Sequence, residues 1–183
     1  MTGGFFTRSM KLNLQSSDFE LFGLPEQFAQ TADRIDARWL ELQREVHPDK
    51  FAAQGDAAQR VAMQWSIRVN EAYQRLRDPL KRAAYLCEQR GSPIQAESNT
   101  AMPAEFLMEQ MAWREALEDA RSEDDLQTLR FQLEQALAET LARVEALLDQ
   151  SGDPPAAAQQ VRALMFIERF AHDVEARFEQ LGQ

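Results

Sequence analysis

The residues best suited to specific chemistry in this sequence are His47, Pro48, Asp49 and Lys50, which follow one another without a gap. The Asp49 carboxylate can form a charge-assisted pair with an arginine of a partner. Proline fixes its backbone φ angle, so it presents the imidazole and the carboxylate in a set arrangement. The alternative is a simple turn, because Pro and Asp are both common turn residues. The elements on either side therefore decide whether this is a binding loop.

Signatures of catalysis are missing from the sequence. Neither His47 nor His172 lies near a Cys or Ser in a recognisable nucleophile motif, and glycine-rich phosphate loops do not occur. A di-iron bundle needs Glu-x-x-His pairs on two helices, whereas the pair Glu168 and His172 is single and wrongly spaced. We therefore predict that the chain is not itself an enzyme and uses no metal or other cofactor.

Composition and charge narrow the choice of partners. The 183 residues are 44% hydrophobic and 27% charged, which is typical of globular chains. Residues 1–90 hold 13 Lys/Arg and 12 Asp/Glu, whereas residues 91–183 hold 7 and 18, a net charge of −11. Such a second half would repel phosphates, and no run of apolar residues is long enough to span a bilayer. We expect neither a nucleic acid nor a membrane as partner.

The only cysteine is Cys87. One cysteine excludes an internal disulfide and any zinc site built on a cysteine pair, and it fits a reducing compartment.

The first half of the sequence predicts four helices. A capping box opens the first, the apolar stripe of the second must end before Pro48, and an Asp-Pro pair starts the fourth. The predicted spans are Ser17–Gly23, Thr31–His47, Ala57–Arg77 and Pro79–Gly91. The stretch 1–17 is expected to be disordered or extended.

The second half predicts three longer helices after a linker. Residues 91–102 are polar and unpatterned, which indicates a linker. Helices then begin at Pro103, at Ser122, which forms a capping box with Asp125, and after the turn at 151–155. Strand-like alternation is absent. We predict an all-α protein with one domain at 18–90 and a three-helix bundle at 103–183.

The elements around His47 resemble the J domain, the module that binds DnaK-type chaperones and accelerates their ATP hydrolysis. Four segments carry the resemblance, namely Asp18–Leu24, Leu42–Phe51, Asn70–Tyr73 and Leu76–Pro79. The resemblance implies that the second helix and the loop bind the chaperone. The residues it assigns to this role are His47, Pro48, Asp49, Lys50, Arg38 and Arg44. Glu41 and Glu45 fall on the same arc of the helix and dilute its positive charge.

The first helix of the bundle carries a second apolar patch. Its core stripe consists of Phe106, Trp113, Leu117 and Ala120. At about 100° per residue, Leu107, Met108 and Met111 fall outside that stripe, beside Glu115 and Asp119. One explanation is that the patch extends the core edge or packs on the first domain. The other is a partner-binding surface with adaptable methionines and an acidic rim, which Phe166 of the last helix can join.

The segment Phe106–Glu115 is similar to that of the HscB co-chaperones of iron–sulfur cluster assembly. The resemblance spans about residues 18–181 and implies two partners, an HscA-type ATPase chaperone and an IscU-type iron–sulfur scaffold protein. It assigns scaffold binding to Leu107, Met108, Met111, Glu115, Asp119 and Phe166. The family commonly has an acid at the position of Ala112 and a leucine at that of Met111.

The resemblance also implies a bacterial cytoplasmic location, rather than a mitochondrial matrix one. The alternative is a general J protein that delivers unfolded clients to DnaK.

Overall fold

The computed structural model describes residues 13–98 and 100–181, except for the side chain of Ala52. All regular structure in these ranges is helical, which confirms the all-α prediction. The chain forms two compact units, one ending at Arg82 and the other beginning at Ala83. The α-helices are α1 (Asp18–Phe22), α2 (Ala32–Val46), α3 (Asp56–Arg77), α4 (Pro79–Gln89), α5 (Ala104–Asp119), α6 (Glu123–Glu145) and α7 (Pro154–Leu181).

The predicted capping box starts the first unit. The Ser17 hydroxyl accepts from the Glu20 amide at 3.1 Å, and the Glu20 carboxylate accepts from the Ser17 amide at 2.8 Å. Gly23 then ends α1 in the left-handed conformation, with φ at 60°. This short helix fills the core of the unit, since Phe19, Leu21 and Phe22 are each 1% exposed.

Residues 13–17 form a turn where the sequence predicted disordered or extended chain. The guanidinium of Arg68 on α3 donates to the Leu14 carbonyl at 3.1 Å and to the Ser16 carbonyl at 2.8 Å. Arg68 and Arg75 also pair with the fully buried carboxylate of Asp18. The remainder of the stretch, residues 1–12, lies outside the described residues.

The connection between α2 and α3 is more regular than predicted. His47 ends α2 and directly precedes a 3₁₀ helix over Pro48–Gln54, and Gly55 at φ 90° leads into α3. Proline favours this start, because its missing N–H is not needed in a first helical turn. The predicted loop is therefore a single extended residue followed by a short, tight helix.

The described residues between α4 and α5, 91–98 and 100–102, form no helix, and contacts attach them to the second unit. Arg162 of α7 is 5% exposed and donates to the carbonyl oxygens of Ile94 at 3.0 Å and Ala101 at 2.6 Å. The division between the units therefore falls within α4, before residues 91–102, and not at those residues themselves.

The second unit contains the expected bundle of α5, α6 and α7. Ser122 and Asp125 form the predicted capping box at the start of α6. A π-helical turn over Ala146–Ser151, which the sequence did not predict, continues α6, and the Leu148 carbonyl in it accepts from Arg90. The core cluster is made of Phe106, Trp113, Leu129, Leu133, Ala163, Ile167, Phe170 and Val174. None of the described helices has the length and apolar character that crossing a bilayer requires.

Candidate functional site

Contacts between α2 and α3 fix the end of α2 from which the His47 motif projects. The Trp39 and Tyr73 rings stack with centroids 4.7 Å apart. The Asn70 side-chain oxygen accepts from Trp39 Nε1 at 3.0 Å and from Gln43 Nε2 at 2.6 Å. Asn70 and Tyr73 therefore hold α2 and α3 together by these contacts. Both residues belong to the segment Asn70–Tyr73, which carries part of the resemblance to the J domain.

A polar group extends the same contact. The Tyr73 hydroxyl donates to Asp36 Oδ1 at 3.0 Å, and Arg77 Nε donates to the same oxygen at 2.9 Å. Burial, followed by the hydrogen bond to the Asp36 carboxylate, raises the pKa of Tyr73 above its ordinary value. The hydroxyl therefore keeps its proton, and remains a donor, to a more alkaline pH than an ordinary tyrosine would.

The motif itself is exposed. The His47 and Asp49 side chains are 56% and 90% exposed, and Lys50 is exposed as well. The Asp49 amide donates to His47 Nδ1 at 3.3 Å, so a neutral imidazole carries its proton on Nε2. The Asp49 carboxylate lies 3.6 Å from the same nitrogen. This arrangement presents one N–H donor and one carboxylate side by side to a partner, with half-buried Pro48 between them.

The basic residues of α2 differ in their availability. Arg44 is exposed, whereas Arg38 is half-buried and pairs with Glu41 at 2.9 Å. Arg38 and Glu41 also line a cleft of about 440 Å³ together with Arg34. Arg34 is not among the residues predicted to bind the chaperone. The pairing shows directly how Glu41 reduces the positive charge of this face.

The second apolar patch lies on the surface of α5. Leu107, Met108 and Met111 are 48%, 75% and 72% exposed. Glu115 and Asp119 are exposed on the following turns of α5. None of the three belongs to the core cluster of the bundle. We call Leu107, Met108 and Met111 the α5 patch.

Phe166 lies at the edge of the core, where α7 meets α5. Its half-buried ring packs edge-on against Phe106 at 5.8 Å and stacks on Phe170 at 5.7 Å. The guanidinium of Arg114 lies 5.5 Å from its centre. The sequence did not predict a role for Arg114, because its contact with Phe166 joins two helices and cannot be read from the periodicity of α5 alone.

His172 is exposed on α7, and no group of three or more His, Cys, Asp or Glu that could hold a metal ion forms within residues 13–98 and 100–181. The two surfaces described above carry exposed apolar and charged side chains.

Known proteins resemble this chain over almost its whole length. The family model described as the HSCB C-terminal oligomerisation domain matches residues 102–175. The co-chaperone protein HscB homolog of Burkholderia multivorans is 53% identical, and that of Burkholderia cenocepacia 52% identical, each over 93% of this chain and 98% of the relative.

Solved structures agree with these relatives. The chaperone HscB from Vibrio cholerae aligns with a TM-score of 0.77 and 36% identity, covering 91% of this chain and 99% of that one. Human co-chaperone protein HscB, at 24% identity, shares the fold with a TM-score of 0.82, over 91% of this chain and 84% of that one. The fold is thus an N-terminal J domain followed by a C-terminal helical bundle, and the chain belongs to the HscB family of iron–sulfur assembly co-chaperones.

Proposed function

We propose that this protein activates the ATPase of an HscA-type chaperone through its J domain and brings an IscU-type iron–sulfur scaffold protein to that chaperone through its bundle. The observation that carries the proposal is the His47 motif. Its imidazole and carboxylate are exposed at the end of α2, and α2 is hydrogen-bonded to α3. Because the backbone of this pair lies between α2 and a 3₁₀ helix, it loses less conformational freedom on binding than an irregular loop would.

The chaperone is bound by His47, Pro48, Asp49 and Lys50, and Arg44 adds an exposed positive charge on α2. Asp49 forms a charge-assisted pair with an arginine of the chaperone, since its carboxylate is almost fully exposed and its neighbour His47 lies 3.6 Å away. Arg38 contributes less, because Glu41 already neutralises it.

The scaffold protein is bound by the α5 patch, with Phe166 at its border. Three large apolar side chains at high exposure are costly in water and gain by being covered. Glu115 and Asp119 form an acidic rim, which steers a partner of complementary charge. The protein acts in this role in a bacterial cytoplasm, with protein partners and without a nucleic acid.

The proposal is tested by single-turnover ATP hydrolysis on a purified HscA-type chaperone. We expect this protein to accelerate hydrolysis alone, and to accelerate it further when the scaffold protein is added. The Glu145→Gln variant, which changes an exposed acid on α6, serves as control and should behave as wild type. If unfolded clients increase the acceleration and the scaffold protein does not, the result would support a general J protein instead.

A further inference from the structure

A cavity of about 240 Å³ opens in the second unit between α7 and the segment that precedes α5. Its apolar wall is formed by Met102, Met165 and Phe166, and its charged wall by Arg162 and Arg169. On α7 the two arginines and Phe166 stand at spacings of four and three residues, so they share one face of the helix.

The charges around this cavity are unusual for such an acidic unit. Residues 91–183 contain 18 acids against 7 basic residues, yet no described residue lining the cavity carries a carboxylate. Arg162 is 5% exposed and its recorded acceptors are the neutral carbonyls of Ile94 and Ala101. Within the described residues, neither Arg162 nor Arg169 has a carboxylate within 4.0 Å. The cavity is a positively charged site on a negatively charged unit, which attracts anions.

The cavity reaches α5 through Phe166. The ring of Phe166 forms part of its wall and also contacts Phe106 and the guanidinium of Arg114. Arg114 stands one turn after Met111 and two turns after Leu107 on α5, which places it on the side of the patch nearest Phe166. Arg114 too has no carboxylate within 4.0 Å in the described part of the chain. Arg114 therefore links the side of α5 that carries Leu107 and Met111 to the wall of this cavity.

We infer that the cavity between Arg162, Arg169 and Phe166 binds a carboxylate side chain, Asp or Glu, that the scaffold protein presents beside the apolar surface covering the α5 patch. The inference rests on the proposed function. A guanidinium offers two parallel N–H donors to a carboxylate, and the apolar wall accommodates the methylene groups that carry it. Apolar contact on α5 and ionic contact on α7 together set the orientation of the scaffold protein.

The test is calorimetric titration of the scaffold protein with the full-length chain. Arg169→Glu is expected to weaken binding at least about tenfold, whereas Arg169→Lys retains part of the affinity because it keeps the charge without the planar fork. The control is Arg143→Glu, since Arg143 is an exposed arginine of α6 whose ion pair is the exposed one with Glu139. Both reversals change the net charge equally, so a difference between them reports position. Arg162 is kept, because it holds Ile94 and Ala101.

A charge swap identifies the carboxylate. Each surface Asp and Glu of the scaffold protein is changed to Lys, and we expect one such variant to bind wild type weakly and Arg169→Glu well. If Arg169→Glu binds no worse than Arg143→Glu, while alanine at Leu107, Met108 and Met111 abolishes binding, the inference fails and the proposed function stands. If Arg169→Glu weakens binding and no Lys variant of the scaffold protein restores it, the cavity does not bind one specific carboxylate and the inference is contradicted. If alanine at the α5 patch also leaves the affinity for the scaffold protein unchanged, the proposed function fails as well.

Discussion

The guanidinium Nε of Arg162 donates to the carbonyl oxygen of Ala101 across 2.6 Å, and both groups lie in the second unit. A buried arginine costs free energy unless its donors are satisfied, and here main-chain carbonyls before α5 satisfy them. The main chain at Ile94 and Ala101 is therefore a structural part of this unit.

This attachment predicts that a fragment of residues 83–183 is more stable than one of residues 103–183. The shorter fragment loses Ala83, Leu86 and Cys87, all fully buried, and leaves Arg162 without its two acceptors. Burial of one leucine alone contributes about 1.5–3 kcal/mol. Urea unfolding followed by circular dichroism should show a difference of at least about 2 kcal/mol. Equal midpoints for the two fragments would mean that the α4 residues add nothing to the bundle.

A second prediction concerns Asp18, whose fully buried carboxylate pairs with Arg68 at 2.7 Å and Arg75 at 2.6 Å. Asp18→Asn leaves two cations without their common counter-ion, and removing one partner of a buried pair typically costs about 3–5 kcal/mol. The control is Glu41→Gln, which breaks the exposed pair with Arg38 and should cost less than about 1 kcal/mol. Chemical denaturation of both variants measures the contrast. Similar costs would show that burial of the Asp18 pair does not matter.

The α5 patch gives a third prediction. Alanine at Leu107, Met108 and Met111 should change stability by less than about 0.5 kcal/mol per residue, because all three side chains are exposed. Affinity for the scaffold protein should fall by about 2 kcal/mol or more, roughly thirtyfold. Calorimetric titration and thermal melts measure the two effects. The double variant Met63→Ala, Ile67→Ala removes exposed apolar residues of α3 and serves as control. A loss of stability with unchanged affinity would refute the binding role.

Cys87 supplies a prediction in alkaline solution. Burial raises the pKa of its thiol from 9.0 to about 11. Between these values the unfolded chain releases the proton while the folded chain retains it, so stability is unaffected below about pH 9 and falls as the pH rises toward 11. The slope cannot exceed about 1.4 kcal/mol per pH unit for one proton. Urea unfolding from pH 8 to 11 should show this component in wild type and not in Cys87→Ala. Parallel curves for both proteins would disprove it.

Local signals made part of this structure predictable. The capping boxes at Ser17 and Ser122 use residues three positions apart, and the exposure of Met108 and Met111 follows from helical periodicity. Contacts between distant segments left no such signal. Arg162 meets Ile94 across 68 positions, and Arg114 meets Phe166 between two helices. These contacts depend on how the helices pack, which a single sequence does not specify by periodicity.

The measurement closest to the central claim is the stimulation of an HscA-type ATPase by wild type and by the variants His47→Gln and Asp49→Asn. Both side chains are exposed, so the variants should melt within a few degrees of wild type. We predict that each variant loses stimulation almost completely, because the exposed donor and carboxylate no longer engage the chaperone. Stimulation at the wild-type level by either folded variant would contradict the account.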